Sequence, residues 1–239
     1  MPKLYKRYHL SIGISNSEMS SDKNSTLRFS FSVLLFVIYG LVFVGCRSSE
    51  HEIEKYILQM AATGATARAS AVKHLKEIGA PAVPNLILAL DSQDLAVRAN
   101  VVWLLGEIGE PVEKIVPFLI RAFADSDQNV CTIALLSIIS IGNPTVPFLI
   151  DVFGHPNAGV RQQAAFALGE IGQPINLIIP ALIGNLDDSE WNVRRVSVRA
   201  LLNIGQLAEP QLIEALNHGN RETRRTARIA LDQMAHRTR

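Results

Sequence analysis

The apolar and polar positions of this chain repeat with a period of 30 to 33 residues. The pair Ile-Gly recurs at spacings of 30, 33, 30 and 33 residues, at Ile78-Gly79, Ile108-Gly109, Ile141-Gly142, Ile171-Gly172 and Ile204-Gly205. A proline column runs in register with it, at Pro84, Pro117, Pro147, Pro180 and Pro210. A period of this length is typical of stacked helical hairpins.

Each repeat contains the signals of two helices. The proline suits the first turn of a short helix, where its missing N–H would have no partner. A second helix then begins after a residue that favours the N-cap, and it ends at the glycine of the Ile-Gly pair. The predicted N-cap residues are Gly64, Asp94, Asp127, Asn157, Glu190 and Asn220. In this phase Leu105, Ile138, Leu168 and Leu201 should be buried between hairpins.

The second helices carry a motif, V-R-x-x-A-x-x-A-L-G-x-I-G, that is clearest from Val160 to Gly172. This motif resembles the HEAT-like repeats named from phycobilisome lyase subunits. The resemblance implies an all-α fold, a right-handed α-solenoid of about five helical hairpins over residues 63–239. It also implies that the arginines of the motif pair with acidic residues of the preceding turn. Those acidic residues are Asp91, Asp125, Asp187 and Asp188.

Residues 29–45 form an uncharged apolar run that follows Lys23 and Arg28 and ends immediately before Cys46. The junction resembles the lipobox of bacterial lipoproteins, in which a small residue precedes a lipidated cysteine. We therefore expect residues 1–45 to be a signal peptide, with Met19 as an alternative start, and Cys46 to carry the lipid. The rival interpretation is an uncleaved N-terminal membrane segment. Residues 46–62 would then be a tether and a capping helix.

This address predicts a protein of the bacterial cell envelope, lipid-anchored to a membrane and facing the periplasm or the exterior. The composition gives no reason to expect a nucleic-acid partner, because 23 basic residues nearly balance 22 acidic ones. No catalytic motif occurs, and the single His-Glu pair, His51-Glu52, lies outside the repeats. We expect a non-enzymatic protein without metal or cofactor.

One face of the second helices remains as a candidate binding surface. Trp103, Leu136 and Phe166 should lie along its middle, with Arg195 and Arg199 at its C-terminal part. An apolar stripe rimmed by charge favours a groove for a protein or peptide partner. Burial of Trp103 and Phe166 by adjacent helices is the alternative for the stripe. For the whole protein, the alternatives are a lyase-like or chaperone-like factor for a tetrapyrrole-bearing protein, and a purely structural spacer.

Overall fold

The computed structural model describes residues 50–61 and 64–237, and these residues contain helices and turns but no strand. The predicted membrane segment 29–45, Met19 and Cys46 lie outside this range. The α-helices are α1 (residues 50–60), α2 (Ala65–Ile78), α3 (Val83–Ala89), α4 (Leu95–Ile108), α5 (Val112–Arg121), α6 (Gln128–Ile141), α7 (Val146–Asp151), α8 (Ala158–Ile171), α9 (Ile175–Gly184), α10 (Trp191–Ile204), α11 (Glu209–His218) and α12 (Arg221–Arg237).

The predicted caps of the second helices are confirmed at both ends. Asp94 accepts hydrogen bonds from the backbone N–H groups of Ala96 and Val97, and Asp127 caps α6 in the same way. Glu190 precedes α10 without such a side-chain bond. Each second helix from α2 to α10 ends at a glycine with φ between 66° and 79°, a conformation that costs other residues energy. These signals fix where each hairpin turns.

The first helices differ from the prediction in two repeats. Prolines lie in the first turn of α3, α7 and α11, as expected. Pro117 and Pro180, however, lie inside α5 and α9. Those two helices start earlier because Pro111 and Pro174 occupy their N-cap positions, with φ of −75° and −77°. The prediction that every column proline opens its helix was therefore wrong for α5 and α9.

The core runs along the stack of hairpins. Leu105, Ile138, Leu168 and Leu201 are each 0% exposed, which confirms the predicted helix phase. At the N-terminal end, α1 buries Ile53 and Met60. The ring of Tyr56 also stacks on that of His74 in α2, with ring centroids 4.7 Å apart.

Two interior glycines bring alternate pairs of second helices close together. A Cβ atom on Gly106 of α4 would lie 2.3 Å from the Ser137 hydroxyl of α6. One on Gly169 of α8 would lie 2.5 Å from the Ala200 Cβ of α10. At the same position α2, α6 and α10 carry the larger residues Lys76, Ile139 and Leu202. Accordingly, α4 packs more extensively on α6, and α8 on α10, than α6 packs on α8.

Within the described ranges no single helix is both long and apolar enough to cross a membrane. The segment Gln128–Ile141 reaches that length and composition only together with Asn143–Gly154, and the two parts are bent by 111°. In this fold Ile138 and Leu149, one from each part, are fully buried.

Candidate functional site

The second helices present an exposed face along the solenoid, and most of the predicted groove residues lie on it. Trp103 is 39% exposed and Leu136 is 60% exposed. Arg195 and Arg199 of α10 are exposed as well. Phe166 is half-buried and packs against the core, as in the alternative of partial burial. Its ring is therefore partly a core residue, and the apolar centre of this face is formed by Trp103 and Leu136.

Trp103 has a cationic neighbour from the preceding helix. The ammonium group of Lys76 lies 5.4 Å from the centroid of the indole ring, within the range of a cation–π interaction. The same ammonium group forms an ion pair with Glu107, one turn beyond Trp103. The charge of Lys76 is thus compensated within the protein, and Trp103 offers an apolar surface to a partner.

The deepest feature on this face is a cleft between α10 and α12, with a volume of about 570 Å³. Its base is apolar, because Val198, Leu202 and Thr226 there are less than 9% exposed. Its lining includes the two predicted arginines. The other lining residues are Trp191, Arg194, Glu222, Arg225, Ile229 and Gln233. Trp103 and Leu136, on α4 and α6, do not line this cleft.

Sequence analysis missed Trp191, the first residue of α10. Its side chain is 62% exposed, and the guanidinium carbon of Arg195 lies 5.1 Å from its ring centroid. A signal for this contact was present in the sequence. Trp191 precedes Arg195 by four residues, so the two side chains share one face of a helix. The contact places an aromatic surface at the mouth of the cleft.

The cleft carries a positive charge. Four arginines line it, against Glu222 as the acidic residue. Glu222 pairs with Arg194 at 3.3 Å and more distantly with Arg225 at 4.0 Å. Arg194 also donates to the backbone carbonyl of Asp188 at 2.6 Å, so it is held by the fold. Arg195 and Arg199 remain exposed beside the apolar base, and they supply the excess charge.

The arginines of the repeated motif have a structural role, but their acidic partners were predicted in the wrong turn. Arg98 donates two hydrogen bonds to Asp125, at 2.9 and 3.0 Å. Arg161 likewise donates to Asp188, at 2.7 and 2.8 Å. Each partner lies 27 residues later, in the turn of the following hairpin. The preceding turn supplies backbone carbonyls instead, and Asp91 pairs with Arg121 at 3.0 Å.

These ion pairs hold both carboxylates in the charged form. Hydrogen bonding from Arg98 lowers the pKa of Asp125, against an opposing effect of burial. Burial raises the pKa of Asp188, but hydrogen bonds from Arg161 and from the backbone of Glu190 outweigh it, so that its pKa lies below the ordinary value. Because these arginines are already bound to carboxylates, they are not an anion site. They join successive hairpins.

One repeat lacks the arginine. Cys131 takes its place and donates from Sγ to the backbone carbonyl of Asp125 at 3.3 Å. In the following turn His155 replaces the aspartate, and its Nδ1 accepts from the backbone N–H of Asn157. Burial raises the pKa of the Cys131 thiol, which makes it a poor nucleophile. Among the described residues, no group of three or more potential metal ligands comes together.

A stack of helical hairpins with one continuous core defines an α-solenoid. The sequence places this chain in a particular class of solenoid. HEAT-repeat family profiles match residues 55–138 and 178–208, and the profile of the PBS lyase HEAT-like repeat matches residues 160–188. The chain is therefore a HEAT-repeat protein.

Solved structures share this fold at low sequence identity. The MAST/Orbit N-terminal domain is 14% identical with a TM-score of 0.58, covering 77% of this chain and 96% of that domain. A structure described for microtubule plus-end tracking by XMAP215, CLIP-170 and EB1 is 14% identical with a TM-score of 0.53, covering 75% and 89%. The complex of CpcE and CpcF of phycocyanin lyase from Nostoc sp. PCC7120 is 23% identical with a TM-score of 0.40, covering 76% and 76%. A comparison with curated proteins finds no match.

Proposed function

We propose that this protein is a non-enzymatic HEAT-repeat scaffold, tethered to a membrane of the bacterial cell envelope, that binds a protein or peptide on the exposed face of its second helices. Solenoids of this kind use extended surfaces to bind other proteins. The observation that carries the proposal is the pair of large apolar side chains on neighbouring helices, Trp103 on α4 and Leu136 on α6, both exposed. Apolar patches rimmed by polar residues are typical of interaction sites.

Replacing Trp103 and Leu136 together by Ala should weaken partner binding about thirtyfold or more, because truncating an interfacial tryptophan commonly costs at least about 2 kcal/mol. Proteins captured from native membranes by the tagged wild-type chain would be identified, and the affinity of each would be measured for both chains. A matched control is the pair Leu88→Ala and Leu177→Ala. Those leucines are 74% and 44% exposed but lie on the first helices α3 and α9.

The control pair should bind like the wild type, and both variants should keep the helical circular-dichroism spectrum. If the Trp103 and Leu136 variant folds and still binds every partner with unchanged affinity, the binding surface is elsewhere. If no protein is specifically captured by the wild type, the purely structural spacer becomes the better interpretation.

The membrane tether is supported by the lipobox-like junction at Cys46. Cys46→Ser should abolish incorporation of labelled fatty acid and leave an unprocessed precursor, because the thiol is the acceptor for the lipid. Cys131→Ser is the matched control, since Cys131 is the second of the two cysteines and is buried in the solenoid. Normal lipidation of the Cys46 variant would contradict the tether.

A second candidate function is that of a lyase-like or chaperone-like factor for a tetrapyrrole-bearing protein. The observation that favours it is the match of residues 160–188 to the PBS lyase HEAT-like repeat. This candidate predicts that the chain purifies with a bound pigment, or that it retains added bilin with a shifted visible absorption band. A colourless preparation that retains no bilin would exclude direct pigment binding.

A further inference from the structure

We propose that the cleft between α10 and α12 binds an acidic peptide segment of the partner protein, in which carboxylate side chains flank an apolar one. This inference rests on the proposed function, because it specifies the chemistry of the partner at one part of the second-helix face. The argument combines the charge of the cleft, its apolar base and the charges on the remainder of the face.

The charge of the cleft calls for carboxylates. Arg194 uses its side chain on Glu222 and on the backbone of Asp188, whereas Arg195 and Arg199 are exposed one turn apart on α10. Guanidinium groups bind carboxylates through paired hydrogen bonds with good geometry. Because Glu222 already pairs with Arg194, the cleft keeps an excess of positive charge that a ligand with two or more carboxylates would neutralise.

The base of the cleft calls for an apolar side chain. Val198, Leu202 and Ile229 lie beside the arginines, and Trp191 adds an indole ring at the mouth. A volume of about 570 Å³ is in the usual range of ligand sites and exceeds what one carboxylate needs. A free anion would leave this apolar surface exposed to water. A peptide with a leucine or a phenylalanine between its acidic residues would cover it.

The remainder of the second-helix face would exclude an acidic segment. Glu77, Glu107 and Glu170 occupy equivalent positions near the ends of α2, α4 and α8, and all three are exposed. Like charges in contact oppose binding and thereby direct a ligand to the complementary region. An acidic segment is therefore directed to the C-terminal part of the solenoid.

The same pattern argues against a nucleic-acid strand, which needs cations along its whole path. On α8, next to the cleft, the face presents Gln162, Phe166 and Glu170 in place of arginines. The positive region thus ends after one pair of helices, which suits a short acidic segment of a protein.

The two tryptophans of the chain give a direct test, because one lies at the cleft and the other does not. Full-length Trp103→Phe in non-ionic detergent would report on Trp191 alone, and full-length Trp191→Phe would report on Trp103 alone. The probe is a synthetic peptide with four glutamates around one central leucine. We expect it to change the emission of Trp191 but not that of Trp103. Raising NaCl from about 50 to about 500 mM should weaken the binding.

Arg195→Glu with Arg199→Glu, in the Trp103→Phe chain, should weaken peptide binding about tenfold or more, since it reverses charges that face the ligand. Arg221→Glu with Arg228→Glu is the matched control. It makes the same change of net charge on α12, at residues that do not line the cleft. The control should bind the peptide within about twofold of the parent chain, since distant charges are screened.

Three results would overturn the inference. One is an equal loss in both charge-reversal variants, which would mean unspecific attraction. Another is equal binding of the peptide with glutamine in place of glutamate. The third is a response of Trp191 to vesicles containing phosphatidylglycerol but not to the peptide, which would make a lipid surface the occupant. If the captured partner depends on Trp103 and Leu136 but is insensitive to Arg195 and Arg199, the proposed function stands and this inference alone fails.

Discussion

Replacing Arg161 by Cys should lower the free energy of unfolding by about 3–5 kcal/mol at neutral pH, measured by urea denaturation under reducing conditions. Removing one partner of a buried ion pair leaves the other charge without compensation. The side chain of Asp188 is only 7% exposed, and that of Arg161 is 11% exposed. Asp188 would lose both hydrogen bonds from the guanidinium group and keep the one from the backbone of Glu190.

The pH dependence gives this prediction a sign. In the wild type the pKa of Asp188 is lowered, so the pair stabilises the fold above the unfolded-state pKa of about 3.9, and this contribution is lost as the pH falls through the lower folded-state value. In the variant, burial without Arg161 acts in the opposite direction. The difference in stability between the two chains should therefore shrink as the pH is lowered from 7 towards about 4.

The chain itself supplies the control for Arg161→Cys. At the neighbouring interface, Cys131 and His155 stand where the ion pair would be. The double variant Arg161→Cys with Asp188→His reproduces that combination and leaves no unpaired carboxylate. It should recover most of the lost stability. A double variant as unstable as the single one would show that the ion pair, rather than the avoided unpaired charge, determines the effect.

Leu168→Ala should cost about 2–5 kcal/mol of unfolding free energy, from lost burial and from the cavity left behind. Leu168 is 0% exposed in the middle of α8, between two neighbouring second helices. Urea or thermal denaturation followed by circular dichroism would measure the change. The matched control is Leu88→Ala, which removes the same atoms from a side chain that is 74% exposed and should change the stability by less than about 0.5 kcal/mol.

A cost below about 1 kcal/mol for Leu168→Ala would contradict the packing described for α8. A cost similar to that of Leu88→Ala would mean that the helix is rotated so that Leu168 faces solvent. The equivalent leucines Leu105 and Leu201 provide independent repeats of the measurement, because both are fully buried in the same column.

Local features of the sequence predicted most of this fold. The cap at Asp94, the terminal glycine at Gly109 and the burial of Leu105 depend on interactions within about one helical hairpin, and they follow from residue types and spacing. The face that carries Trp103 and Leu136 follows from the same helical periodicity. These positions were therefore predictable without any knowledge of how neighbouring hairpins stack.

Features that depend on stacking were not predictable in this way. The sequence places Arg161 within its repeat, but it does not indicate whether its side chain reaches the turn before or the turn after it. The early starts of α5 and α9 depend on Pro111 and Pro174, which lie between the repeated columns. The cleft beside Trp191 exists because Leu202 separates α10 from α12, where a glycine would let them approach.

The alternation of Gly106 and Gly169 with Lys76, Ile139 and Leu202 has a consequence for how such a chain changes its length in evolution. A duplication or deletion of 63 residues, two hairpins, leaves every second helix beside a neighbour of the kind it has now. A change of 30 or 33 residues would place two close contacts, or two wide ones, in succession and alter the pitch of the superhelix at that point. The inherited module of this protein is therefore the glycine-joined couple of hairpins, and the expected relatives differ from it by whole couples.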